Sequence, residues 1–290
     1  MYLLPEYNVA LPQSEFRMLL PLLQHKHYDA PSAFTPESLL REARRQKGIE
    51  VSAVPAVCVL DPDGDLVRRL RGDGRAQIDH SWACYHTELY RASVDGLEFG
   101  LLGCAVGAPF AVLVAEELFA SGCRLLISIT SAGQLVDLRS PPYFVLIEKA
   151  LRDEGASHHY IPASEFSAAD PALLSLLDGG FDGIGIVVER GATWTTDAPF
   201  RETDGAIASM RESGLLAVEM EAAALYALAC ARKKAVVCFA HVTNRMGRIE
   251  QDFEKGEADG SVNSLAVLRR TAAILLPAVT TNAACCEATK

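Results

Sequence analysis

The chain is short of positive charge. Its 290 residues carry 27 Lys and Arg against 37 Asp and Glu, a formal net charge of −10 at pH 7. Phosphate polymers and anionic membranes are held largely by basic patches, so this balance argues against a nucleic-acid polymer or a membrane surface as the main partner. It leaves room for a small anion in a locally positive pocket. Among eight cysteines (58, 84, 104, 123, 230, 238, 285 and 286) no C-x-x-C pair occurs. That spacing argues against a zinc ribbon or a disulfide framework, and the thiols read as reduced core residues of a cytoplasmic protein with no metal expected. The G-x-G-x-x-G spacing of a dinucleotide site is missing as well. "MYLLPEYNVALPQSEF" lacks the basic start and continuous apolar run of a signal peptide. The longest apolar windows are interrupted by Glu116, Glu117, Glu219 or Glu221, so no bilayer span is expected.

What is present is enough apolar material for a large core: half the residues are hydrophobic and 22% are charged. Residues 1–50 read as an N-terminal extension. "SEFRMLLPLLQ" suggests a short helix after Ser14, and "TPESLLREARRQKG" a helix started by Thr35 and Pro36 and stopped at Gly48. "PAVCVLD" reads as a buried strand, followed by a Gly/Asp/Arg-rich segment over 61–75 whose "RRLRGDGR" reads as a solvated helix or loop face. "CYHTELYRASV" and "LEFGLLGCAV" form a hairpin about Asp95-Gly96. "APFAVLVAEELFASG" has helical spacing, and "RLLISIT" is a strand running into a tight turn at 131–133. Further strands are expected at "YFVLIEKA", "GIGIVVE", "LLAV" and "AVVCFAHV". Helices are expected at "DPALLSLLDGG", "ETDGAIASMRESG", from Glu219 and over 263–276. This alternation predicts an α/β fold, a three-layer αβα arrangement about a central mixed, twisted sheet. It is read as one domain over 51–280, with a frayed tail at 281–290.

"LLAVEMEAAALYALACA" places Glu219 and Glu221 in an apolar run at the junction of a strand and a helix. A helix N-terminus favours negative charge. Residues two apart on a helix diverge by roughly 200°, so one carboxylate can face a pocket while the other braces the structure. Ligands of open α/β sheets bind at strand carboxyl ends, and a carboxylate there accepts hydrogen bonds from a sugar diol. Polar groups gather after other strands too: Thr130 and Ser131; Thr195, Thr196, Asp197 and Phe200; Thr243, Asn244 and Arg245. Together they suggest a small-molecule pocket.

Taken in order, "GCAVGAPFAVLVAEEL", "ITSAGQL", "GASHHYIPASEFSAAD", "GATWTTDAPFRE", "VEMEAAALYALA" and "HVTNR" resemble the nucleoside phosphorylase superfamily, specifically its uridine-phosphorylase-like branch. The resemblance implies attack of phosphate on C1′ of a nucleoside through an oxocarbenium-like transition state. No cofactor is implied beyond phosphate as co-substrate. Met220 and Glu221 would hold ribose hydroxyls, Glu219 would edge the ribose and base sites, and Thr195 and Thr196 would line the substrate pocket. Phe200 would lie over the base, and Asn244 with Arg245 would face a pyrimidine. Ser131 and Gly107 are the implied phosphate contacts, with Arg201 as a further ligand of the substrate. A homodimer or a hexamer of dimers is also implied.

The phosphate machinery departs from that pattern. In "LDPDGDLVRRL", Pro62 replaces a glycine and Leu66 an arginine, Ser128 replaces a second arginine, and the arginine donated by a neighbouring subunit falls near Tyr85 or His86. Arg68, Arg69, Arg71 and Arg201 are the possible substitutes. The pyrimidine-selecting Q-x-R loop is missing after Phe200. A phosphate-independent nucleosidase, with Glu219 as the base for water, and a non-catalytic nucleoside-binding protein are the alternative readings.

Overall fold

A computed structural model describes residues 20–246 and 252–287, with side chains placed as far as residue 281. Ten strands share one mixed sheet: β1 (Val57–Asp61), β2 (Ala76–Ile78), β3 (Tyr90–Val94), β4 (Leu97–Gly103), β5 (Leu125–Gln134), β6 (Tyr143–Asp153), β7 (Phe166–Ala168), β8 (Val188–Thr196), β9 (Ala217–Glu219) and β10 (Ala235–Asn244). Among the described residues seven α-helices accompany them: α1 (Pro36–Lys47), α2 (Asp65–Gly72), α3 (Ala108–Ala120), α4 (Pro171–Leu176), α5 (Asp204–Glu212), α6 (Ala222–Arg232) and α7 (Ser261–Glu287). The order β10-β6-β8-β9-β5-β1-β4-β3-β2 carries an additional β10–β5 pairing. The sheet therefore closes on itself through β5, β10, β6, β8 and β9, while β1, β4, β3 and β2 extend outward from β5.

Closure follows from the length of β5. Its first half pairs in parallel with β1 on one side and β10 on the other. Beyond the end of β1, Gly133 and Gln134 pair with Val218 and Ala217 of β9. The strand does not turn at 131–133 as the sequence suggested: β10 runs beside it, with His241 opposite Ser131 and Asn244 opposite Gly133. A Cβ at Gly133 would lie 2.3 Å from Met246 Sδ and 3.3 Å from Val218 Cγ1, so a larger residue there would displace the Met246 side chain. Helices α3 and α6 pack on one another and α6 covers β6, β7 and β10, while α7 lies on β4 and β5 beside α2 and α4.

Other local expectations meet the structure in instructive ways. Thr35 accepts the Ser38 N–H, Pro36 occupies the first turn of α1, and Gly48 ends it in a left-handed conformation. Asp95 and Gly96 both have positive φ, as the two-residue hairpin turn demands. The Gly/Asp/Arg-rich segment at 61–75 contains α2, because Leu66, Val67 and Leu70 share one buried face and Asp61 accepts the Val67 N–H at 2.9 Å. The strand expected at 183–189 begins only at Val188 and runs to Thr196, paired with β6 throughout, so Thr195 and Thr196 are strand residues. The final helix passes residue 280 and continues to Glu287. The helix expected after Ser14 lies mostly outside the described residues, which begin with a 3-10 turn at Pro21–Leu23. Against expectation, Ser261–Thr281 is long and apolar enough to cross a membrane by composition. Its Val267, Leu268, Ala272 and Leu275 are buried in the main core, as in a core helix.

One buried hydroxyl ties helix α6 to the sheet. The Tyr226 hydroxyl donates to the Ile147 carbonyl at 2.6 Å and accepts the Cys238 N–H at 3.0 Å, in a side chain with no exposed surface. Tyr226→Phe should lower unfolding stability by ~1–3 kcal/mol in denaturant titrations, since two main-chain groups lose a partner. A change within experimental error would contradict this bond's role.

Candidate active site

The two central carboxylates occupy different roles. Glu219, the last residue of β9, is 3% exposed. Its Oε1 accepts the hydroxyls of Thr193 at 3.1 Å and Thr195 at 2.5 Å. Its Oε2 accepts the N–H groups of Glu221 at 2.7 Å and Ala222 at 2.8 Å. The Thr195 hydroxyl also accepts the Ala223 N–H at 3.0 Å. The first turn of α6 leaves N–H groups unpaired within the helix, and this side-chain network takes them up. Glu219 is thus saturated by four donors and braces the helix. It is not placed to act as a base, contrary to the sequence expectation. Burial pushes its carboxyl up, and the hydroxyl and amide donors pull it down.

Glu221 stands at the N-cap of α6 and is 1% exposed. Its Oε1 accepts the Gly107 N–H at 2.7 Å, from the residue that caps α3. Its Oε2 is buried with no hydrogen-bond partner. Burial, followed by the charge of Glu219, raises its carboxyl to about 8, against the pull of Gly107 and Thr130. The glycine-rich turn of "GCAVGAP" therefore serves Glu221: the Gly107 N–H is spent on a protein carboxylate, so Gly107 is not a free phosphate donor.

The anion position at Ser131 is also filled from within. Ser131 N–H donates to Asp63 Oδ2 at 2.8 Å. Asp61, Asp63, Asp65, Asp259, Ser131, Ser261 and His241 line a cavity of about 10 Å³, room for a single water. Lys255 binds Asp65 and approaches Asp63 Oδ1 at 3.9 Å, and Arg68 pairs with Asp65. Both nearby cations are thus engaged by carboxylates. Burial raises the Asp61 carboxyl to about 7, and burial lowers His241 to about 4, which keeps its ring neutral. His241 stacks on Phe144 with ring centres 4.4 Å apart, and its Nε2 is buried without a partner. Sequence reading missed both Asp63 and His241. The acidic "DPDGD" run was compared only with an arginine pattern, and His241 looked like an ordinary strand residue in "FAHVTNR".

Several expected ligands are elsewhere or occupied. Phe200 sits on a 3-10 turn (Pro199–Arg201) and is 99% exposed, with Arg201 exposed beside it. Neither reaches the cavity in a single chain. Thr195 is a structural latch, and Thr196 Oγ1 accepts the Ala198 N–H. Asn244 Oδ1 accepts the Met246 N–H at 2.9 Å, and Nδ2 donates to Thr243 Oγ1 at 3.2 Å, so its amide fixes its own loop. Arg245 has an exposed side chain that reaches Ser140, while its N–H is taken by Asp252. Met220 is half-buried between the two glutamates. Glu221 lines neither this cavity nor the larger one near α3; the Thr130 hydroxyl pulls on its carboxyl as a hydrogen-bond donor, and Asp63 acts on it through its charge.

A family model described as the phosphorylase superfamily matches residues 56–276. Over 142 residues the chain is 28% identical to a guanosine phosphorylase of Halorubrum lacusprofundi, covering 49% of this chain and 59% of that protein. It is 30% identical over 142 residues to a DeoD-type purine nucleoside phosphorylase of Colwellia psychrerythraea, covering 48% and 61%. The chain thus spans about three fifths of the length of the curated relatives it matches. A uridine phosphorylase structure from Vibrio fischeri superimposes with a TM-score of 0.59 at 21% identity, over 76% of this chain and 86% of that one.

The raised carboxyl of Glu221 has a consequence for stability. Between its unfolded value of 4.5 and its folded value of about 8, the folded chain holds a proton that the unfolded chain has released. Raising pH through that window therefore favours unfolding, by up to a few kcal/mol. Glu221→Gln should remove this dependence: the wild type loses stability relative to the variant from about pH 4.5 to about pH 8. Parallel pH–stability curves for the two proteins would contradict it.

Proposed function

Because the chain belongs to the phosphorylase superfamily, we propose that it cleaves the N-glycosidic bond of a nucleoside, with Glu221 gripping the sugar. The observation that carries this reading is the state of Glu221. Gly107 fixes one oxygen, while the other is buried without a well-formed hydrogen bond, the Thr130 hydroxyl being the neighbouring donor that pulls on the carboxyl. A poorly bonded buried acceptor is costly, and a sugar hydroxyl would supply a donor once the strand ends around Glu221 part to admit it, since the residue lines neither cavity in the free chain. Held there, the sugar is oriented for loss of the base, and a hydroxyl donating to Glu221 favours its charged form, whose charge then stabilises positive charge developing at C1′.

A second observation bears on the nucleophile. Phosphate was the expectation from family resemblance. A dianion needs charge-assisted donors, yet Asp63 already occupies the Ser131 N–H, among Asp61, Asp65 and Asp259. The small cavity there suits a water. This supports hydrolysis: the C1′–N bond breaks with its electron pair leaving on the base, and a water oxygen bonds to C1′ and loses a proton. Asp63 and His241 are the proton acceptors beside that cavity. The preference for a pyrimidine rests on the "HVTNR" resemblance alone, since both faces of the Asn244 amide are engaged and the relatives' names divide between purines and pyrimidines. A cytoplasmic location and a shared-site homodimer or hexamer of dimers remain part of the same proposal.

The test is base release from a panel of purine and pyrimidine nucleosides, with and without phosphate. Release independent of phosphate is expected. Glu221→Ala should abolish release from every nucleoside, and Asp63→Ala, which frees the Ser131 N–H, should make turnover responsive to added phosphate. Strict phosphate dependence in the wild type would overturn the hydrolytic reading, and full activity of Glu221→Ala would overturn the role of Glu221.

A further inference from the structure

A second group of chemically matched side chains lies away from the Glu221 site. Glu117 sits near the end of α3 and is 1% exposed, and neither carboxylate oxygen has a well-formed hydrogen bond, the Cys84 thiol being its neighbouring weak donor. Lys47 does not supply one: its ammonium donates to the Cys84 carbonyl at 2.6 Å. Leaving a buried carboxylate unpaired is costly unless it is neutralised or coordinated. Facing Glu117 are Cys84, 3% exposed, and His86, which is exposed. One ligand atom from each of the three lies within 4.8 Å of the others, and Cys84 Sγ is 3.9 Å from His86 Nδ1. The sulfur also accepts the His86 N–H at 3.3 Å and the Thr87 hydroxyl at 3.4 Å.

We propose that Cys84, His86 and Glu117 bind a divalent cation of the zinc class. A thiolate, an imidazole and a carboxylate form a donor set suited to zinc, and their mutual spacing allows one ion to reach all three. Three protein ligands leave one position for water, and the exposure of His86 lets solvent reach it. The ion supplies the positive partner that Glu117 lacks. It also ties the segment between β2 and β3 to α3, the helix whose capping residue, Gly107, holds Glu221. Sequence spacing concealed the group, because Glu117 lies 33 residues beyond Cys84 and no C-x-x-C marks it. The proposal does not depend on the nucleoside reading.

Cobalt is the probe, since its thiolate complexes absorb through sulfur-to-metal charge transfer. The chelator-treated full chain should bind one equivalent of Co²⁺ with that band, and Zn²⁺ should displace it. Cys84→Ser should lose the band. His86→Ala changes an exposed side chain, so the fold should survive, checked by circular dichroism and the melting temperature in chelator. Its metal affinity should nevertheless drop by more than the roughly hundredfold typical of second-shell losses. The proposal is overturned if the wild type gives no charge-transfer band, or if His86→Ala binds as tightly as wild type.

Discussion

The saturated carboxylate of Glu219 is the constraint on which the site depends. It collects two threonine hydroxyls from β8 and two N–H groups at the start of α6. Those four bonds fix where the strand ends, where the helix begins and how the next carboxylate leaves the backbone. Neutralising a buried charge with hydrogen bonds alone is demanding, and here every contributor comes from an element locked in the closed part of the sheet. Glu221 is then held by Gly107 from a third direction. The pair divides the labour: one carboxylate is fully committed to architecture, and the other keeps a free oxygen.

The same logic explains the acidic cavity. In a site built for phosphate, strand-end amides would remain open and cations would converge. Here the chain spends the Ser131 amide on Asp63 and the Gly107 amide on Glu221, and Lys255 and Arg68 are paired with acids. The fold is that of the superfamily, while the groups gathered around the Ser131 amide are acidic. On the proposed hydrolytic reading, such a pattern favours water over phosphate without any change to the sheet.

Local chemistry made much of the fold legible in the sequence. Thr35-Pro36 and Gly48 bound a helix through capping, Asp95-Gly96 turns a hairpin, and the apolar runs of β1, β6 and β10 need no context to be recognised. What local chemistry could not give was partnership. Helix α2 hides in a Gly/Asp/Arg-rich stretch because only three apolar residues mark its face. Strand β8 shifted because its register is set by β6, some 44 residues away at Phe144 and Val188. Glu221 was found from its place at a helix start, and the resemblance supported it. The structural duty of Glu219 could not be read, because its donors sit on β8 as well as on its own turn. Phe200 was assigned to the base by motif position, yet it points into solvent.

The most direct test of the central claim is a crystal structure of the chain with a bound nucleoside. The account predicts a sugar hydroxyl donating to Glu221 Oε2 at about 2.5–3.0 Å, with Glu219 still holding its four donors. A nucleoside seated elsewhere, with Glu221 Oε2 left without a sugar contact, would contradict it.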